Sequence, residues 1–162
     1  MSTATGRSFG DLISDQRLRN RIQAQVLQDE ELLHDSNITV TVFNHVVLLT
    51  GEVPDAAAGQ RLAAHARDQD EARVVYNELM IAPLSSVMSR SRDRMIRNSA
   101  QSRIRRLQEP EGLDPDRVRV VVERQRLYLL GQVSRDEAEA ITETVRRISG
   151  VREVVRMFEY GD

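Results

Sequence analysis

Ile38-Thr-Val-Thr-Val-Phe-Asn-His-Val-Val-Leu-Leu-Thr-Gly-Glu-Val53 returns 80 residues later, without a gap, as Val118-Arg-Val-Val-Val-Glu-Arg-Gln-Arg-Leu-Tyr-Leu-Leu-Gly-Gln-Val133. Val40 pairs with Val120, Val42 with Val122, Leu49 with Leu129, Gly51 with Gly131 and Val53 with Val133. In the first copy Ile38, Val40 and Val42 alternate with Thr39, Thr41 and Phe43, the two-residue period of a strand. Asn44-His45 reads as a tight turn, because asparagine tolerates positive φ. Residues 46–50 are then the returning strand, ended by Gly51. A long repeat in two copies means two tandem small domains, since a solenoid needs at least about three units to bury a continuous core.

Upstream of the first hairpin, Leu18, Ile22 and Val26 recur every fourth residue, which predicts a helix over 15–28. Downstream, Pro54-Asp55 opens an Ala-rich helix that runs to about residue 69, with proline where no amide bond is lost. Val74-Val-Tyr-Asn-Glu-Leu-Met80 reads as a third strand. The second copy keeps this plan. Ile96, Ala100, Ile104 and Leu107 mark its first helix at an offset of 78, and the longer loop Glu109-Pro-Glu-Gly-Leu-Asp-Pro-Asp116 absorbs the difference. Ser134-Arg-Asp-Glu137 is a capping box. Ala138, Ile141, Val145 and Ile148 form the buried face of the helix that follows, Gly150 supplies its left-handed cap, and 151–160 is the last strand.

The expected fold is therefore α+β: two tandem αββαβ modules, each a three-stranded mixed sheet packed on two helices. A helical crossover returns the third strand parallel to one hairpin strand. The expected divisions are a flexible segment 1–14, a first module 15–82, a polar linker 83–92 and a second module 93–162. Modules of this size bury only about 60% of their unfolded surface and are marginal alone, so contact between the two is expected.

The absence of cysteine excludes disulfides and thiolate metal sites. No apolar run reaches the ~18 residues of a membrane span, and Met1-Ser-Thr-Ala-Thr-Gly carries no signal-peptide core. There is no HExxH, phosphate-binding glycine loop or GxSxG elbow. His34, His45 and His65 have Asp114, Gln125 and Val145 at the 80-residue offset, so no histidine belongs to a repeated site. His65 falls on the core face of its helix and reads as structural. The acidic runs Asp29-Glu-Glu31 and Asp68-Gln-Asp-Glu71 read as solvated helix ends. Aromatics are 4% of the chain, too few for a base-stacking platform, and there is no GXXG clamp. These features point away from an enzyme, a bound cofactor or metal, and a nucleic-acid partner.

A net charge of −2 conceals an asymmetry. Residues 1–84 hold 7 Arg against 12 acids, whereas 85–162 hold 16 Arg against 13. Between residues 90 and 106 there are seven Arg and one acid. At about 100° per residue, Ile96, Ala100, Arg103, Ile104 and Leu107 share the inner side, and Arg90, Arg94, Arg97, Gln101 and Arg105 another. Met95 lies on a flank with Ser99, Ser102 and Arg106. The candidate site facing an anionic surface is Arg90, Arg92, Arg94, Met95, Arg97, Ser99 and Arg106. Near an anionic bilayer each Arg contributes ~1 kcal/mol, and burying a Met adds ~1.5–3 kcal/mol. The competing reading is a solvated face, or a helix docked on an acidic partner or on the acidic first module.

Leu48-Leu-Thr-Gly-Glu-Val53 followed by Val75-Tyr-Asn-Glu-Leu79, and Leu129-Leu-Gly-Gln-Val133 followed by Gly150-Val-Arg-Glu-Val154, resemble the BON domain family over about residues 15–160. The resemblance implies a non-enzymatic envelope protein. Residues 15–51 and 93–133 are most similar to a branch of dual-domain outer-membrane lipoproteins. That branch implies an acyl anchor on the inner leaflet of the outer membrane, absent from this chain but expected in a precursor. It also implies binding of phosphatidylglycerol through the first helix of the second module, support of outer-membrane integrity, and presence at division sites. The branch's lipid-inserting aromatic falls on Met95, followed by the matching Ile96, so the resemblance adds Ile96 to the candidate site. A second branch, of soluble osmotically induced periplasmic proteins, implies action through contacts with envelope proteins instead.

Overall fold

The computed structural model describes residues 9–161, so the first eight residues of the expected flexible segment lie outside it. The chain divides between Ser85 and Ser86 into two compact units. The first contains α1 (Phe9–Gln28), α2 (Glu30–His34), β1 (Asn37–Phe43), β2 (Val46–Val53), α3 (Ala56–Arg67), β3 (Val74–Asn77) and β4 (Met80–Ile81). The second contains α4 (Val87–Arg105), a 3-10 turn (Pro115–Arg117), β5 (Val118–Glu123), β6 (Arg126–Val133), α5 (Arg135–Val145) and β7 (Glu153–Tyr160).

Each sheet is mixed, as the crossover argument requires. β1 pairs antiparallel with β2, and β2 pairs parallel with β3 and β4. β5, β6 and β7 repeat that arrangement. In the first module Leu18, Ile22 and Val26 of α1 pack with Val40, Val42, Val47 and Leu49 of the hairpin and Leu62, Ala63 and Ala66 of α3. In the second, Ile96, Ala100 and Ile104 meet Val120, Leu127 and Leu129, with Ala138, Ile141 and Val145 closing the layer. The apolar stripes read from the helical period are thus the buried faces.

Several boundaries differ from the sequence reading. α1 starts at Phe9, so 9–14 are helical. The expected linker 83–92 is helical from Val87, because Ser86 Oγ accepts the Ser89 amide at 3.0 Å and no proline or glycine follows it. Asp29 is not a solvated helix end. It caps α2, accepting the Glu31 and Leu32 amides, and it pairs with Arg61. The Arg61 guanidinium holds the Asp29 carboxyl below the usual aspartate range. The third strand of the first module is broken at Glu78-Leu79, where Asn77 Oδ1 accepts the Leu79 amide, but its register resumes unshifted in β4. α5 ends at Val145, so Gly150 is not its cap. Gly150 stands instead in the turn before β7 at φ 97°.

Gly51 does not end its strand either: β2 runs through it, as β6 runs through Gly131. The two glycines have φ of 116° and 139°. A Cβ on Gly51 would lie 1.8 Å from the carbonyl oxygen of Asn37, and one on Gly131 would lie 2.1 Å from that of Arg117. Only glycine permits both the backbone angle and the approach.

Both hairpins turn through two non-glycine residues at positive φ, Asn44 (52°) and His45 (66°), then Arg124 (51°) and Gln125 (67°). A two-residue turn of this hand matches the strand twist but favours Asn and Gly, not Arg-Gln. A buried aspartate resolves the conflict in each module. Asp15 of α1 accepts the Asn44 and His45 amides, both at 2.8 Å. Asp93 of α4 accepts those of Arg124 and Gln125 at 2.8 and 3.0 Å. Hydrogen bonds to a carboxylate are worth ~1.5–3 kcal/mol each, against ~1–2 kcal/mol for each residue held in the left-handed region. The clamp therefore wins. His45 Nδ1 also donates to the Glu71 carbonyl at 3.1 Å, and Gln125 Nε2 does the same to Gly150 at 2.7 Å.

Candidate functional site

α4 is anchored at three points that fix which side faces outward. Ile96, Ala100 and Ile104 enter the core, Asp93 grips the hairpin turn, and Arg103 Nη1 donates to the Thr144 carbonyl at 3.3 Å. The one acid of this helix is thereby turned inward, and its exposed positions include Arg92, Arg94, Met95, Asn98 and Arg105.

The remaining candidates separate on this frame. Met95 is 72% exposed. At about 100° per residue it shares a flank with Ser99 and Arg106, with Arg92 beside them. Arg92, Arg94 and Arg106 are exposed, and Ser99 is half-buried. Arg90 and Arg97 stand on the opposite flank and are half-buried, so they do not join the Met95 surface. Ile96 leaves the site altogether. It is 3% exposed in the core, and its Cδ1 would meet a Cβ on Gly150 at 3.2 Å. Ile96→Ala should lower the stability of the second module by about 2–4 kcal/mol. A urea titration reads that loss, and the folded fraction should keep its surface properties.

Charge pairing separates this helix from the rest of its module. Arg126 pairs with Glu153 at 2.8 Å, Arg156 with Glu139 at 2.8 Å, and Arg146 and Arg147 with Glu143 at 2.7 and 2.9 Å. These bonds raise the pKa of Arg126, Arg146 and Arg156, and Arg146 holds the Glu143 carboxyl below the usual range. Among the described residues, Arg92, Arg97, Arg105 and Arg106 make no ion pair, and Arg94 Nη2 donates only to Ser91 Oγ at 3.2 Å. Arg126, Arg146, Arg147 and Arg156 are thus engaged by acids of their own module, while Arg92, Arg94, Arg97, Arg105 and Arg106 carry no carboxylate partner among the described residues.

One surface residue escaped the sequence reading. Met88, 81% exposed, sits on the first helical turn, inside what reads as linker. Its spacing of seven from Met95 was the available signal. Among the described residues no cluster of histidine and carboxylate side chains is arranged to hold a metal ion. His65 is half-buried on α3, and His34 ends α2 beside an open depression of about 520 Å³ lined by Pro54, Ile81, Ala82, Pro83 and Leu84. Among the described residues no helix is long and apolar enough to cross a membrane.

Fold and site together define a duplicated α+β scaffold that presents one basic, thioether-bearing helix. The chain belongs to the BON domain family, whose model matches residues 14–83 and again 93–162. It is 28% identical over 156 residues to the outer membrane lipoprotein DolP of Haemophilus influenzae, covering 96% of this chain and 79% of that one. It is 27% identical over 154 residues to the 21 kDa hemolysin of Actinobacillus pleuropneumoniae, covering 95% of this chain and 78% of that one. It also aligns with CdsD, a structural protein of the type III secretion system of Chlamydia trachomatis, at 12% identity and a TM-score of 0.38, over 93% of this chain and 92% of that one.

Proposed function

We propose that this protein is a non-enzymatic envelope protein that binds anionic phospholipid through α4 of its second BON module. Phosphatidylglycerol is the lipid class, and the inner leaflet of the outer membrane, facing the periplasm, is the surface. The observation that carries the reading is the set of unpaired arginines around an exposed Met95 on one rigid helix. Likeness to an outer membrane lipoprotein over nearly the whole chain supports the compartment and a role in outer-membrane integrity. Arginines within a Debye length of a negative surface attract it, and a thioether that enters the acyl boundary adds an apolar contribution.

The test is partition onto vesicles with and without phosphatidylglycerol at two salt concentrations. Binding should require the anionic lipid and weaken as salt rises. Equal partition onto both vesicle types would defeat the reading. Met95→Glu should reduce binding by tenfold or more, because it replaces an apolar contact by a charge repelled from the surface. The melting transition should stay in place, because Met95 lies outside the core. Lipid-independent capture of an envelope protein through α4 would favour an adaptor role.

A further inference from the structure

We propose that Met88 and Met95 form a paired thioether anchor, and that oxidation of the pair by a peroxide releases the protein from the membrane. This rests on the lipid-binding reading of α4 and deepens it.

Seven residues are two helical turns less about 20°, so the two side chains leave α4 on one stripe about 10.5 Å apart along its axis. They are the two most exposed large apolar side chains among the described residues, at 81% and 72%. Met88 precedes the second BON match, which begins at residue 93, so the pair is a property of this chain's extended helix. Arg92 lies beside the stripe between them, and Arg106 continues it. A stripe of two apolar tips bordered by cations fits an anionic bilayer, where the tips enter the acyl boundary and the cations stay at the head groups.

The same exposure opens both sulfurs to oxidants. With no cysteine in the chain, methionine is its softest nucleophile. The other described methionines are better protected, Met157 at 9% and Met80 at 37% exposed. A thioether lone pair attacks one oxygen of hydrogen peroxide, the O–O bond breaks, and the departing hydroxide takes the remaining proton to leave as water. Sulfur loses two electrons and becomes a sulfoxide, while the peroxide is reduced. The S=O dipole keeps hydrogen bonds to water that the acyl boundary cannot replace. Two such groups on one stripe oppose insertion, while the fold survives because neither side chain is in the core.

The experiment uses the full chain on phosphatidylglycerol vesicles, before and after graded peroxide treatment. Peptide mass spectrometry locates the sulfoxides, and thermal melting confirms the fold. Partition should fall roughly tenfold or more as Met88 and Met95 oxidise, and a methionine sulfoxide reductase fed by a thiol should restore it. The Met88→Leu/Met95→Leu double variant, which keeps apolar tips but has no thioether at either position, should partition equally before and after peroxide treatment. Unchanged binding by a chain oxidised at both positions would overturn this inference alone. So would equal peroxide sensitivity in the double leucine variant. Failure of the untreated chain to prefer anionic vesicles would overturn the lipid reading and this inference with it.

Discussion

Gly131→Ala is expected to remove the cooperative transition of the second module at ordinary temperature. The added Cβ would stand 2.1 Å from the Arg117 carbonyl oxygen, a contact with backbone that no side-chain rotation can relieve. The residue would also be held at φ 139°, which alanine strongly disfavours. β6 is the central strand of its sheet, bonded to β5 on one side and β7 on the other, so displacement disturbs both ladders. A loss of ~4 kcal/mol or more is a large part of the 5–15 kcal/mol that typically holds a domain. Hydrogen exchange of the β6 amides in Gly131→Ala, compared with the unaltered chain, checks it. Native-like protection in the variant would show that the strands can separate at low cost. Gly51→Ala should do the same to the first module, where the distance is 1.8 Å.

Asp93→Ala is expected to cost about 2–4 kcal/mol. The carboxylate is 5% exposed and is the acceptor for both turn amides. Removing it leaves those donors without their partner, and Arg124 and Gln125 keep their backbone strain with nothing to offset it. Asp93→Asn retains one carbonyl oxygen and should lose about half as much. Adding Arg124→Gly to Asp93→Ala should recover part of the loss, because glycine accepts positive φ without penalty. Urea unfolding of the three variants measures the series. An Asp93→Ala midpoint equal to that of the unaltered chain would mean that water replaces the clamp. Asp15→Ala is the matching experiment in the first module, where Asn44 already tolerates the turn and the loss should be smaller.

The hairpins, the glycines and the apolar stripes were legible because each is a local pattern. Leu18, Ile22 and Val26 repeat at helical spacing, Ile38, Val40 and Val42 at strand spacing, and the capping box at Ser134 occupies four residues. The aspartate clamp was hidden, since Asp15 and His45 are 30 residues apart and Asp93 and Gln125 are 32 apart. The trace it left was equivalence: Asp15 and Asp93 both stand three residues before the first core position of their helices, Leu18 and Ile96. The N-terminal reach of α4 was masked by polar composition, which in Ser86-Val-Met-Ser-Arg-Ser-Arg92 suits an exposed helix as well as a linker. The break between β3 and β4 depends on one side chain, that of Asn77, folding back onto a nearby amide.

By itself the sequence determined the duplicated α+β scaffold, its mixed sheets, and the basic helix on which the two copies differ. Periodicity and charge are properties of residue order, and they survive without coordinates. Tertiary structure decided which residues of that helix face outward. Packing drew Ile96 into the core, the hairpin turn drew Asp93 inward, and ion pairs engaged Arg126, Arg146, Arg147 and Arg156 on neighbouring elements. Those contacts join residues distant in the chain, and what they leave uncommitted on α4 is the surface offered to a partner.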